Sequence, residues 1–198
     1  MKRVSTLSFV ALMFSAMLAV AQAPSMPKPA PELEKAKFFL GDWKMSGDIK
    51  PGPMGPGGTF TGTQHGQWMA GKFFVVLNST TSMGPMKITG TGYLGYNPED
   101  KVYTYHEFSS DGETVDARGT VDGDTWTWTS EEKMQGKVMK GRFIEKITSP
   151  TSYDIKFEAS VDGGEYVTVM EAKATKAGAS AKTGAKGPAA VQKKESKK

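Results

Sequence analysis

From Asp42 onward the chain is a run of short segments in which apolar and polar residues alternate with a period of two. Successive side chains of an extended strand point to opposite faces, so this period buries one face and wets the other. Tyr153, Ile155, Phe157, Ala159 and Val161 share one face, opposite Asp154, Lys156, Glu158 and Ser160. Trp126 and Trp128 stand together against Thr125, Thr127 and Thr129. Met86, Ile88, Gly90, Gly92, Leu94 and Tyr96 form a further face, whose glycines predict bending or close packing. Val102, Thr104, His106 and Phe108 oppose Lys101, Tyr103, Tyr105 and Glu107, and the set with His106 is read as inward. The run from Phe73 to Leu77 does not alternate and is read as buried on both sides.

Turn chemistry separates the segments. Asn97-Pro98-Glu99-Asp100 reads as a tight turn, and Ala70-Gly71 as another. Ser110-Asp111-Gly112, Asp122-Gly123-Asp124 and Asp162-Gly163-Gly164 place glycine where a hairpin needs positive φ. Strands are expected over residues 42–49, 59–69, 72–82, 86–96, 101–108, 113–121, 124–131, 137–148, 153–161 and 165–175. No helical period intervenes, so the strands follow one another as hairpins. The expected fold is all-β, an antiparallel up-and-down barrel of about ten strands, because closure removes two unpaired edges. A β-sandwich would need longer cross-connections than these turns provide. One short helix precedes the strands, from Glu32 to Leu40, with Leu33, Ala36, Lys37 and Leu40 on one face and Phe39 beside them. Gly41 ends it, and its expected place is across a barrel end.

The flanks differ from this core. Met1-Lys2-Arg3 precedes an apolar run from Leu7 to Val20, too short to span a bilayer and suited to a secretory leader. Cleavage is expected after Ala21, giving a leader over 1–21, a proline-rich spacer over 22–31, a barrel over 32–175 and a tail over 176–198. The mature chain is then expected in the periplasm or outside the cell. No cysteine is present, which excludes disulfides, thiolate metal sites and a lipoprotein anchor. The net charge of +4 sits at the termini: the tail has seven lysines against Glu195, while residues 24–175 carry 16 basic and 20 acidic side chains. The basic balance therefore argues for no nucleic-acid partner. The tail, built of Ala, Gly, Lys and Ser, is expected to be disordered and to make at most weak contact with an anionic envelope surface.

Two stretches resemble a known family. Phe38-Phe39-Leu40-Gly41-Asp42-Trp43, with Gly47 and Pro53-Met54-Gly55-Pro56-Gly57-Gly58, is one; Gly92-Tyr93-Leu94-Gly95-Tyr96-Asn97 is the other. Over residues 32–175 the chain is similar to the bacterial family catalogued as domain of unknown function 1579. The resemblance implies an exported protein with a barrel related in pattern to calycins such as lipocalins. In those proteins a Gly-x-Trp near the first strand closes one end, which implies a plugging role for Trp43. It implies no activity. A more distant likeness, to nitrobindin-type haem barrels, lacks its ligand here, since no histidine follows His106.

Few residues carry recognisable chemistry. There is no nucleophile elbow, phosphate loop, zinc-protease motif or calcium loop, so no catalytic residue or metal site is assigned and the cofactor is left unknown. Methionines in the loops at Met54 and Met83–Met86 suit a lid over an apolar pocket better than a copper site. Glu107 and Glu145 are strand acids among aromatic neighbours and are read as surface ion-pair partners. The leading expectation is a binding module for a small apolar or flat ligand in the barrel lumen. Trp126, Trp128, His106, Tyr96 and Met54 are its candidate contacts, and residues 50–58 the mobile loop at the mouth. The alternatives are a structural or interaction protein with a filled barrel, and an enzyme using His106 with a carboxylate.

Overall fold

The alternating segments all become strands. The computed structural model describes residues 27–52, 55–134 and 136–178, and only the backbone of Met134. The expected leader, half of the spacer, Met54 and nearly all of the tail lie outside the described residues. The strands are β1 (Gly41–Ile49), β2 (Gly58–Trp68), β3 (Val75–Met83), β4 (Met86–Asn97), β5 (Val102–Ser109), β6 (Thr114–Asp122), β7 (Thr125–Met134), β8 (Lys137–Ser149), β9 (Ser152–Val161) and β10 (Val167–Lys176). Each pairs antiparallel with the next, and β10 pairs with β1 from Trp43–Lys176 to Ile49–Met170, closing the barrel. Closure excludes the sandwich.

Register lines up the apolar faces. Trp126, Glu145, Ile155, Ala172, Gly47 and Phe60 oppose one another in sequence from β7 through β8, β9, β10 and β1 to β2. Their neighbours in each strand face outward, and Lys44, Ser46, Asp154 and Lys156 give the outer wall its polar surface.

The helix forms as a 3-10 helix, Pro31–Phe39, with Leu33, Ala36 and Phe39 buried. Proline at its start needs no amide donor there, and Leu40 and the left-handed Gly41 (φ 88°) turn the chain into β1. It lies over one end of the barrel. Phe39 packs edge-on to Trp126 at 5.1 Å, and Trp43 to Tyr153 at 5.0 Å, with Phe38 5.1 Å from Trp43. Each such pair adds about 0.5–1.5 kcal/mol beyond its buried area. Tyr103 Oη donates to the Glu32 carbonyl at 2.8 Å, tying the helix to β5. The other end of the barrel carries the β1–β2 loop and the hairpin turns after β3, β5, β7 and β9.

Two sequence expectations are corrected. On β5 it is Tyr103, Tyr105 and Glu107 that face inward, while the set with His106 faces out and leaves Phe108 61% exposed. The reason is space. A Cβ on Gly92 would lie 2.4 Å from Tyr105 Oη, and one on Gly119 would lie 2.4 Å from the Trp128 ring. These bare positions on β4 and β6 leave hollows that large inward side chains fill. The run 73–77 is not buried on both sides either: Phe73 and Phe74 sit in an exposed loop, and Val75, Val76 and Leu77 alternate normally.

The hollow at Gly92 yields a test. Gly92→Ala should lower unfolding free energy by about 2 kcal/mol in urea titrations, through overpacking against Tyr105. Gly52→Ala, where a Cβ meets nothing within 4 Å, should change it by less than about 0.5 kcal/mol. Equal stability of the two variants would contradict the placement of Tyr105.

Candidate functional site

The interior is filled unevenly. At the helix end the side chains of Phe39, Trp43, Trp126 and Tyr153 leave no accessible surface to speak of. Elsewhere in the barrel, inward residues such as Met45, Gln64, Glu107, Phe143, Phe157 and Met170 stay partly accessible. The interior is thus an aromatic plug adjoining a cup.

At the inner end of the plug lies a polar cluster. Trp128 stacks on Trp126 at 5.8 Å and 21°, and its Nε1 donates to Glu145 Oε2 at 3.0 Å. Tyr105, 5.8 Å from Trp128, donates through Oη to Glu107 Oε2 at 2.7 Å. Ser79 Oγ donates to Glu107 Oε1 at 3.3 Å. A Cβ on Gly90 would lie 2.2 Å from that same oxygen, so the bare β4 backbone makes room for the carboxylate as Gly92 does for the tyrosine. Three strands, β5, β7 and β8, thereby aim two carboxyls and two aromatic rings into one space beside the bare backbone of β4.

The electrostatics follow from enclosure. Glu145 lies inside the barrel between Trp126 and Ile155, bonded to Trp128, with part of its surface still accessible. Burial pushes its carboxyl up to about 7, opposed only in part by the Trp128 N–H. Tyr105 is raised well above its ordinary value, first by burial and then by the charge of Glu107, its hydrogen bond, and Glu145. Tyr153 is raised by burial and by Glu145. Among the described residues Oε1 of Glu145 receives no hydrogen bond, so this oxygen is open to a donor from outside the protein.

The residues singled out from sequence scatter. Trp128 joins the cluster. Trp126 is 1% exposed between Phe39, Tyr103 and Trp128, so it supports the site without facing it. His106 is not in the lumen: its side chain is 45% exposed on the outer wall, 3.6 Å from Asp116 Oδ2. Tyr96 sits at the helix end, 5.0 Å from Tyr103, outside the cup. Met54 lies outside the described residues. Trp43 is buried against Phe38 and Tyr153 with Lys176 Nζ 5.3 Å over its ring, and its Nε1 has no partner among the described residues. His65 pairs with Asp42 on the outer surface at 2.7 Å. A groove of about 400 Å³ on the outer wall, crossing β10, β1, β2 and β3 between Lys44, Thr61, Thr80 and Lys173, holds none of the perturbed groups.

Glu107 and Glu145, read from the sequence as surface ion-pair partners, face inward instead, beside Tyr105 and Trp128. Glu145 shares strand parity with Phe143 and Ile147, which already marks it as inward. Glu107 shares parity with Tyr103 and Tyr105, opposite a strand with glycine at the alternate positions 90 and 92.

The raised carboxyl has a sign that can be measured. Its folded value exceeds its unfolded one, so the folded state holds the extra proton between about pH 4.5 and 7. Stability should therefore fall as pH rises through that window and level off above it. The loss should reach at most about 3 kcal/mol, at ~1.4 kcal/mol per pKa unit. In Glu145→Gln, which can still accept from Trp128, this component should vanish. Unfolding curves of both proteins across the window, differing by a constant, would refute the enclosed carboxyl.

No curated protein matches this sequence. Among solved structures, Rv2717c from M. tuberculosis is similar at 14% identity over 75% of this chain and 99% of that one, with a TM-score of 0.52. A DUF3598-family protein of unknown function from Nostoc punctiforme aligns at 16% identity over 79% of this chain and 53% of its own, with a TM-score of 0.40. The first likeness shows a shared barrel fold and nothing of function. The family model described as "Protein of unknown function (DUF1579)" matches residues 28–176, which span the 3-10 helix and all ten strands, and the chain belongs to that family.

Proposed function

We propose that the barrel is a binding module whose cup takes a small, flat ligand carrying a protonated nitrogen. The observation behind this reading is Glu145, an enclosed carboxyl with one oxygen unpaired at an accessible wall. An enclosed carboxylate is costly until a cation or donor reaches it, and a ligand cation would supply that partner. Trp128 and Tyr105 offer ring surface beside it, Phe143 and Phe157 an apolar wall, and Glu107 a second acceptor. The leader-like N-terminus supports a setting outside the cytoplasm, where such a module would meet its ligand.

Calorimetry with a panel of flat aromatic amines tests this. Binding near neutrality should release a proton from Glu145, so the heat should vary with the ionisation enthalpy of the buffer. Glu145→Gln should weaken binding about tenfold or more and abolish that dependence. Asp116→Asn, on the outer wall beside His106, should leave both unchanged. Binding by the Gln variant at parental strength would sink the assignment, and a panel without a binder would favour a barrel that acts through its surface.

A further inference from the structure

The β2–β3 connection carries three apolar side chains on the outside. Met69 is 44% exposed, and Phe73 and Phe74 are each 37% exposed. The loop is held in shape. Met69 N donates to the Phe74 carbonyl at 2.9 Å, and Lys72 N to the Met69 carbonyl at 2.9 Å. Lys72 itself sits at φ 60°, a conformation unfavourable for a side-chain-bearing residue, at the tip of the loop. Nothing in the polar cluster uses this loop, which lies at the helix end of the barrel together with the turns after β4, β6 and β8.

The same end releases the C-terminus. β10 ends at Lys176, and Ala177 N donates to the Asp42 carbonyl at 2.7 Å, so the chain leaves beside the start of β1. β2, which leads into the apolar loop, flanks β1 on its other side. Two strand spacings, about 10 Å, separate the exit from the strand that carries the loop. Beyond Gly178 the sequence holds six lysines, Lys182, Lys186, Lys193, Lys194, Lys197 and Lys198, against the single acid Glu195. Asp42, the acid nearest this exit, is paired with His65, and Asp154 with Lys173.

We propose that this end of the barrel docks on an anionic lipid surface. The Met69, Phe73 and Phe74 side chains enter the headgroup layer, and Lys72 with the lysine segment answers the lipid phosphates. Neither signal is strong alone: a few partly exposed apolar groups, or a short basic segment, give weak and reversible attachment, and two together hold. Docking this way points the mouth of the cup away from the membrane, toward the aqueous phase.

The test is co-sedimentation with vesicles, using a chain from Gln22 that contains the whole barrel. The parent should bind phosphatidylcholine vesicles containing about a third phosphatidylglycerol, and bind about tenfold more weakly to phosphatidylcholine alone or at high salt. Met69→Ser with Phe73→Ser should weaken binding about fivefold or more at an unchanged melting temperature, since both side chains are exposed. Replacing Lys193, Lys194, Lys197 and Lys198 by Gln should weaken it about tenfold or more. Failure of the parent to bind, or binding of the loop variant at parental strength, overturns the proposal. So does a loop-dependent dimer in analytical ultracentrifugation without vesicle binding, which would name a second copy as the occupant.

Discussion

The β1–β10 ladder is the contact on which the rest depends. It joins strands from opposite ends of the domain, with no turn to enforce its register. Every other ladder connects neighbours in sequence and closes a short loop. Bringing β10 to β1 costs chain entropy that local hairpins do not incur, and the return is a wall without edges and an enclosed interior. Glycine and alanine set the closeness of that seam: a Cβ on Gly47 would lie 2.4 Å from the Ala172 Cβ. Only a closed wall surrounds Glu145, so the shifted carboxyl is a property of the barrel as a whole.

Within the wall, missing side chains decide where large ones go. Gly90, Gly92 and Gly119 are bare on the inner face, and Glu107, Tyr105 and Trp128 occupy the hollows they leave. The choice costs something on β5, since the opposite face puts Phe108 into water. It is compensated by burial of Tyr103 and Tyr105 and by hydroxyl bonds to Glu32 and Glu107 that only the inward register permits.

This explains which parts of the molecule could be read in the amino-acid order. Strand number, turn positions and the closed topology follow from period two and from glycine placement, which are local signals. The inward face of β5 does not, because Val102, Thr104, His106 and Phe108 look as apolar as Tyr103, Tyr105 and Glu107. Discriminating them needs the register against β4 and β6, a non-local quantity. The misplaced His106 and the reading of Glu107 as a surface acid are one error seen from two sides. Glu145 was legible from its parity with Phe143 and Ile147, but an acid on an inward face conflicts with the expectation that charges are wet. Trp126 was placed on the correct face; that the helix end would cover it depended on how Phe39 packs, which no spacing reveals.

Glu145 is opposed in register by Trp126 and Ile155, two buried apolar residues. An apolar side chain at 145 would suit those neighbours and remove a cost that rises with pH. Trp128 is no reason to keep the acid, since a neutral acceptor would serve its indole N–H as well. A local rule broken in an otherwise consistent strand is expected where function, and not stability, sets the residue. The break coincides with the boundary between plug and cup, where a carboxyl oxygen can be enclosed and still be reached. The barrel's asymmetry has the same logic: the aromatic plug supplies the rigidity that holds Trp128 against Glu145, while the inward side chains beyond it stay partly accessible.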